Sequence, residues 1–221
     1  MQLYNEGIET NKRVVAMLMQ RAGLVSLYSR KRRWKGKHRT KENLLKENLL
    51  QRKFDCETPG RIFVTDISYV DCSDGTIYLT SYLDLATRIP KAYGITDHMR
   101  KECVTEPLER LAVNGAEEGA IIHSDQGSQY RSYAFANICE EYHFKHSMSL
   151  PGNPIDNAVA EAFFKSVKTE VVYPNRHRTK DEMEVILRNY MEDYYPKERI
   201  HTKLKMTPLE YEKTLLNDPV T

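Results

Sequence analysis

The sequence contains little cysteine and no long apolar stretch. Its four cysteines, Cys56, Cys72, Cys103 and Cys139, are widely spaced and form no C-x-x-C pair. We therefore expect reduced, mostly buried thiols and neither a disulfide framework nor a zinc knuckle. No apolar run approaches the roughly 18 residues that a membrane span needs, and the N-terminal residues contain no apolar core of a signal peptide. The sequence thus predicts a cytoplasmic protein with no membrane partner.

Charge is distributed unevenly along the 221 residues, although the formal net charge is only +2. Residues 1–60 hold 14 Lys and Arg against 6 Asp and Glu, whereas residues 61–221 carry an acidic excess. Most of the basic excess lies in residues 30–41. Such a run is often a solvated linker, but it can also neutralise nucleic-acid phosphates and release counterions. Under the second interpretation the predicted DNA-binding residues of the run are Arg30, Lys31, Arg32 and Arg33.

Hydrophobic periodicity and turn residues predict three parts of the chain. These are a partial helical segment at 1–28, a basic linker at 29–58 and a larger domain at 59–221. A helix is expected at 11–21, and the second half of the linker, at 41–53, is expected to form a short helix. Strands are expected at 62–70, 76–85, 89–95, 120–123 and 144–149. Helices are expected at 100–113, 130–142, 157–173 and 179–195.

Three acidic residues occur in distinctive contexts. Asp66 ends an apolar strand-like run and begins T-D-I-S-Y-V, and Asp125 lies in I-I-H-S-D-Q-G-S-Q-Y. Glu161 lies in N-P-I-D-N-A-V-A-E-A-F-F-K. Carboxylates on separate elements can hold two divalent cations, Mg²⁺ or Mn²⁺, which drive hydrolysis and transfer of phosphodiesters. Two structural roles remain as alternatives to metal binding. Asp125 could form an Asx-turn in a loop, and Glu161 could be a solvated helix residue paired with Lys165.

These segments resemble the catalytic core of bacterial insertion-sequence transposases of the insertion-sequence-three family. That core is the product of the second reading frame and has a DDE domain similar to retroviral integrases. The resemblance runs from about residue 60 to residue 211, and a weaker match at 8–24 is similar to the end of the family's small helical domain. The family usually has Cys-Trp where Pro154 and Ile155 stand, and Asn where Pro196 follows two tyrosines. Neither departure changes a carboxylate.

The resemblance implies an α/β protein of the ribonuclease H-like class, with a mixed five-stranded sheet flanked by helices and a small N-terminal helical segment. In this family Asp66 would bridge two ions, and Asp125 and Glu161 would each complete one site. The implied reaction is metal-dependent cleavage of insertion-sequence ends and their joining to target DNA. The implied partners are that DNA, further copies of the chain assembled on it, and an upstream helix-turn-helix product joined by frameshifting. The implied location is the bacterial nucleoid.

Further residues are candidates for DNA contact. Lys165 and Lys168 follow Glu161 at helical spacing and share its edge of the helix, so we expect them near a bound DNA end. Asn157 precedes Glu161 by one turn and is expected to hold its carboxylate, to bind a DNA phosphate or to cap the helix. Arg199 and His201 belong to Y-Y-P-K-E-R-I-H, which resembles the family's terminal motif. They are expected to contact DNA or to belong to a tail packed on the sheet.

His123, Gly127 and Asp84 are also singled out by their positions, and a structural role is open for each of them. His123 precedes Asp125 by two positions and either orients a ligand or water, or is a satisfied core histidine. Gly127 is expected to permit a tight backbone or a close approach of DNA. Asp84 is interpreted as paired with Arg88 and not as a fourth metal ligand.

Two other functions are compatible with parts of the sequence. One is a non-catalytic DNA-binding remnant or regulator of transposition that retains the fold, against which the three intact carboxylates speak. The other is a cellular ribonuclease H-like nuclease, which would need neither the helix at 11–21 nor the terminal Tyr-Tyr motif.

Overall fold

The structure of the protein, a computed structural model, describes residues 10–24, 46–150 and 154–217. The basic run at 30–41 and its four predicted DNA-binding residues lie outside these ranges. Near the N-terminus, helix α1 spans Lys12–Arg21, which agrees with the helix predicted at 11–21. Asn11 caps this helix, because its side chain accepts hydrogen bonds from two amides of the first turn. No residue of α1 is buried.

A mixed five-stranded sheet forms the centre of the molecule. Its strands are β1 (Ile62–Cys72), β2 (Gly75–Asp84), β3 (Pro90–Thr96), β4 (Ile121–Ser124) and β5 (Lys145–Met148). The spatial order is β3-β2-β1-β4-β5, so β1 is the central strand. Strands β1 to β3 form an antiparallel meander, whereas β4 runs parallel to β1 and β5 parallel to β4. This arrangement confirms the predicted fold class.

Helices cover both faces of the sheet. They are α2 (Glu102–Asn114), α3 (Tyr133–Glu141), α4 (Ala158–Val167), α5 (Lys180–Asn189) and α6 (Pro208–Asn217). Successive side chains of a strand point to opposite faces, so the adjacent residues Phe63 and Val64 of β1 belong to two different cores. The Phe63 core includes residues of α2 and α3, and the Val64 core includes residues of α4 and α5.

One regular α-helix was predicted for 157–173. The structure instead has three kinds of helical turn in this part of the chain. A 3₁₀ turn at Pro154–Asn157 precedes α4, and a π-helical turn at Lys168–Val172 continues it. The apolar stripe predicted to face the sheet is confirmed, because all four of its side chains are buried. These residues are Ala160, Phe164, Val167 and Val171. A longer π-helical segment, Tyr190–Glu198, likewise continues α5.

The short helix predicted at 41–53 is wrong over the part that the structure describes. Residues 46–53 form turns and irregular backbone, with left-handed φ angles of 46° at Gln51 and 62° at Arg52. Leu50 is only 2 % exposed and packs into the Val64 core. Long-range contacts of this segment with the sheet therefore override its local helical preference.

The predicted pair between Asp84 and Arg88 is also wrong. The buried Asp84 carboxylate accepts hydrogen bonds from the backbone amides of Gly60, Ala86 and Thr87, at 2.6 to 2.9 Å. The Arg88 guanidinium instead donates to the carbonyl of Phe54 at 3.0 Å. Hydrogen bonds from backbone amides, and not an ion pair, therefore stabilise the charged form of Asp84.

The cysteines are free thiols, as predicted, with two of them buried and two half-buried. Within the described ranges, no helix is both long enough and apolar enough to cross a membrane.

Candidate active site

Asp66 lies on the central strand β1 and is half-buried. One carboxylate oxygen accepts a hydrogen bond from the amide of Ile67 at 2.8 Å. Burial, followed by the negative charge of Asp125 and then of Glu161, raises the pKa of Asp66 to about 7, against the lowering effect of the Ile67 amide and of Lys168. Asp66 is therefore a carboxyl group that lies within electrostatic reach of both other predicted carboxylates.

Asp125 directly follows the end of β4 and is exposed. The last paired residues of β1 and β4 are Val64 and His123, so Asp66 and Asp125 each lie two residues further along two parallel, neighbouring strands. The Asp125 side chain accepts a hydrogen bond from the Gly127 amide at 2.8 Å, which is the geometry of the Asx-turn alternative. A Cβ atom at position 127 would lie 2.9 Å from this carboxylate, so any side chain there would displace the Asp125 carboxylate from its present position.

Glu161 lies in the first turn of α4 with an exposed side chain. Its partial burial raises its pKa. Among the described residues, it has no hydrogen-bond or ion-pair partner. In the same ranges, no three His, Cys, Asp or Glu side chains lie close enough together to hold a metal ion. The structure therefore places Asp125 and Glu161 within electrostatic reach of Asp66, but the described residues do not form a finished ligand set.

Lys168 is half-buried, and its positive charge lowers the pKa of Asp66. This lysine therefore faces the carboxylates from the end of α4. Lys165 is exposed one turn earlier. Within the part of the chain that the structure describes, no ion pair joins Lys165 to Glu161, so the alternative of a surface pair is not observed.

Comparison with known proteins identifies the family. Two family models, both described as "Integrase core domain", match residues 57–154 and 161–216. The transposase for insertion sequence element IS904 of Lactococcus lactis is 32 % identical over 215 residues, which cover 96 % of this chain and 84 % of that protein. Transposase InsF for insertion sequence IS3A of Escherichia coli is 28 % identical, over 91 % of this chain and 70 % of that protein.

The chain belongs to the insertion-sequence-three family of DNA transposases. A solved structure agrees with its fold: the HTLV-2 integrase catalytic core domain in complex with magnesium, in a dimeric form. The TM-score is 0.53 at 15 % identity, over 69 % of this transposase and 96 % of the integrase core. The predicted family and the ribonuclease H-like fold are thus confirmed, and the matched domain belongs to the polynucleotidyl transferases.

Asn157 of the transposase links α4 to the strand of Asp66. It occupies the residue before α4 but makes no side-chain capping bond. Its side-chain amide donates instead to the carbonyl of Thr65 at 3.1 Å, and its amide oxygen is buried without a hydrogen-bond partner. Asn157 is 4 % exposed, so it lies behind the site. Neither the cap nor a bond to Glu161 is present.

His123 is fully buried and uses both ring nitrogens. Nδ1 bonds to the hydroxyl of Ser147 at 2.8 Å, and Nε2 contacts the carbonyl of Asp156 at 3.0 Å and the hydroxyl of Ser149 at 3.2 Å. Burial lowers the pKa of His123, so the neutral ring is favoured. These contacts are those of a satisfied core histidine, and they position the backbone that precedes α4.

Arg199 is engaged inside the protein. Its guanidinium forms a two-pronged pair with Glu170, with N–O distances of 2.8 to 3.0 Å, and lies 5.4 Å from the centre of the Tyr195 ring. His201 is half-buried, and burial together with the charge of Arg88 lowers its pKa to about 4. Arg199 thus packs against helical residues of the protein itself, and DNA contact by either residue stays a prediction.

Two buried residues next to the carboxylates were missed as contributors to the site. The hydroxyl of Tyr130 bonds to that of Thr65 at 2.9 Å, directly beside Asp66 on β1. Asp156, five residues before Glu161, is almost completely buried and ion-paired with Arg52. The available signal for Asp156 was a charged residue inside the largely apolar N-P-I-D-N-A-V-A segment.

Proposed function

We propose that this transposase cleaves the ends of an insertion sequence and joins them to target DNA, with Asp66, Asp125 and Glu161 as ligands of two Mg²⁺ or Mn²⁺ ions. The observation that supports this most strongly is that Asp125 and Glu161 lie within electrostatic reach of Asp66, whose pKa is raised to about 7 by burial first and then by these two negative charges. Unrelated surface acids would not perturb a carboxyl group in the middle of the central strand in this way.

The donor set fits hard divalent cations. All three side chains offer carboxylate oxygens, which are the ligands that Mg²⁺ prefers, and among the described residues none of the three forms an ion pair with a cation. Glu161 is exposed and has no partner among the described residues, so its side chain can turn toward Asp66 without breaking a contact. When bound, two such ions activate an attacking hydroxyl and stabilise the departing oxygen of an in-line displacement.

The protein's own groups prepare the site for this chemistry. Asp66 must lose its proton before it can act as a ligand, and the charge of Lys168 favours that loss. The Gly127 amide holds one oxygen of Asp125 and leaves the other available. Asn157, bonded to the residue before Asp66, ties the helix of Glu161 to the strand of Asp66.

The proposed partners are two DNA molecules, the insertion-sequence end that is cleaved and the target DNA to which it is joined. Lys165 and Lys168 lie beside Glu161 and would meet phosphates near the scissile bond. The basic run with Arg30 to Arg33 would bind the duplex without sequence preference. We further propose assembly of several copies on DNA in the bacterial cytoplasm and nucleoid, and fusion by frameshifting to an upstream helix-turn-helix product. Asn157, Arg199 and His201 are weaker candidates for DNA contact, because each is engaged within the protein.

Single substitutions test the ligand assignment. Asp66→Asn, Asp125→Asn and Glu161→Gln should each reduce Mg²⁺-dependent cleavage of insertion-sequence-end DNA by at least about 1,000-fold, because an amide is a poor ligand and cannot supply the missing charge. DNA binding, measured by fluorescence anisotropy, should stay near wild type. A variant with wild-type cleavage would remove that residue from the ligand set. DNA binding without cleavage by the wild type would support the regulator alternative.

A further inference from the structure

Asp156 is a buried charge that the proposed chemistry does not use. Its side chain is 1 % exposed and is held by three groups. The Arg52 guanidinium donates to Oδ1 at 2.8 Å, the Asn48 side-chain amide to Oδ2 at 3.1 Å, and the Leu150 amide to Oδ2 at 3.0 Å. Two of these donors come from a segment about one hundred positions earlier in the sequence. A buried carboxylate that is satisfied by such distant groups fixes where the two segments lie relative to each other.

The partner segment, residues 46–54, is anchored at several points. The Leu49 amide donates to Ser147 at 2.9 Å, and the Met148 amide donates to the carbonyl of Glu47 at 3.2 Å. Gln51 and Arg52 both adopt left-handed backbone angles, which non-glycine residues rarely do. Consecutive residues in this conformation persist only where surrounding contacts hold them. The hydrogen bonds of this segment to Ser147, Met148 and Asp156 provide such contacts, and in this turn the Arg52 guanidinium reaches Asp156.

Asp156 occupies the position from which α4 starts. It lies in the 3₁₀ turn that leads directly into the helix, five residues before Glu161. Its backbone carbonyl contacts His123 at the end of β4, and the next residue, Asn157, bonds to β1. The residues that fix this turn therefore also determine where the first turn of α4 stands beside Asp66 and Asp125.

We infer that Arg52 and Asn48 are positioning residues of the transposase, which act through Asp156 to hold Glu161 in register with Asp66 and Asp125. This inference rests on the proposed function, since it presumes that Glu161 works together with the other two carboxylates. The inference adds residues 46–54, which lie in the linker predicted at 29–58, to the groups that support the carboxylate site. Groups that orient metal ligands from behind usually change metal affinity or activity by about 10- to 100-fold when they are removed.

Arg52→Ala in the full chain is the central test, because Arg52 is 49 % exposed and its loss leaves little buried surface unfilled. Alanine tolerates the left-handed backbone no better than arginine, so the change isolates the side chain. The matched control is Arg61→Ala, which removes an equal charge from a similarly exposed arginine whose partner, Glu117, is itself exposed. We measure DNA cleavage, the Mn²⁺ concentration for half-maximal cleavage, DNA affinity and hydrogen exchange of the amides at 156–163.

Arg52→Ala should lower cleavage at a fixed Mn²⁺ concentration by about 10-fold or more, raise the half-maximal Mn²⁺ concentration and speed amide exchange at 156–163. DNA affinity should fall no more than in Arg61→Ala. In a background of Asp156→Asn, the same Arg52 substitution should have much less further effect, because both act through one contact.

Two outcomes would overturn the inference. One is wild-type cleavage and exchange in Arg52→Ala, and the other is an equal effect of Arg61→Ala. Failure of the proposed function gives a different result, in which Asp66→Asn also cleaves like the wild type. If Asp156→Asn does not fold, the comparison of Arg52→Ala with Arg61→Ala still decides between the outcomes.

Discussion

Asp66 and Asp84 lie on neighbouring strands of the same sheet, and burial raises the pKa of both. They differ in what surrounds them. Asp84 accepts hydrogen bonds from three backbone amides, which offset the cost of burying its charge. Asp66 accepts one bond from an amide and has two further carboxylates in electrostatic reach. The comparison separates a carboxylate that stabilises a turn from one whose environment favours the arrival of a cation.

The largest difference should appear in stability. In Asp84→Asn, the side-chain NH₂ group replaces one carboxylate oxygen. This donor would then face at least one backbone N–H that now donates to the carboxylate. We expect a loss of about 4 kcal/mol in the free energy of unfolding, since at least one charge-assisted hydrogen bond becomes a contact between two donors and the others lose their charge assistance. Asp66→Asn should be as stable as wild type or more so in metal-free buffer. Urea unfolding of both variants measures this, and equal destabilisation by the two substitutions would contradict the distinction.

The pH dependence of stability should sharpen the same comparison. The folded-state pKa of Asp66, about 7, lies above its ordinary value of 3.8. The folded state therefore holds this proton more tightly, and wild-type stability should fall as pH rises from about 4 to about 7. Relative to Asp66→Asn, we expect a loss of about 3 kcal/mol across this window, at about 1.4 kcal/mol per pKa unit. Denaturation in EDTA at several pH values tests it, and parallel curves for the two proteins would disprove the raised pKa.

Substitution of Lys165 or Lys168, the two lysines that follow Glu161 along the helix, should have a smaller effect on DNA processing. Lys168→Ala should reduce end processing about 10-fold and Lys165→Ala less, because each loses about one charge-assisted contact to phosphate. Folding stability should change by under about 0.5 kcal/mol. Lys145→Ala is the control, since this exposed lysine lies at the start of β5, at the other end of the parallel strands. Full processing by the double variant of Lys165 and Lys168 would assign both lysines to the solvated surface.

Local sequence predicted most of the sheet and the positions of the carboxylates along it. The apolar runs before Asp66 and Asp125 are long enough to identify β1 and β4, and the periodic apolar residues of α4 place Glu161 on the other edge of that helix. Helix α6 was missed although its signals are present. Thr207 and Glu210 form reciprocal capping bonds around Pro208, the first residue of the helix.

Other features depend on contacts that no local pattern contains. The segment at 46–53 has the composition of a helix, but it turns back because Leu50 enters the core and Arg52 meets Asp156, far along the chain. The partner of Asp84 was assigned to a nearby cation, whereas the structure uses amides that only the folded turn brings together.

Direct counting of bound Mn²⁺ is the most direct test of the central claim that Asp66, Asp125 and Glu161 form one metal site. Electron paramagnetic resonance of the full chain bound to insertion-sequence-end DNA should detect two ions in the wild type. Asp125→Asn and Glu161→Gln should each retain one ion, and Asp66→Asn, which would lose the ligand that we propose to be shared by both ions, should retain none. Wild-type Mn²⁺ binding by the DNA complex of Asp66→Asn would contradict the account.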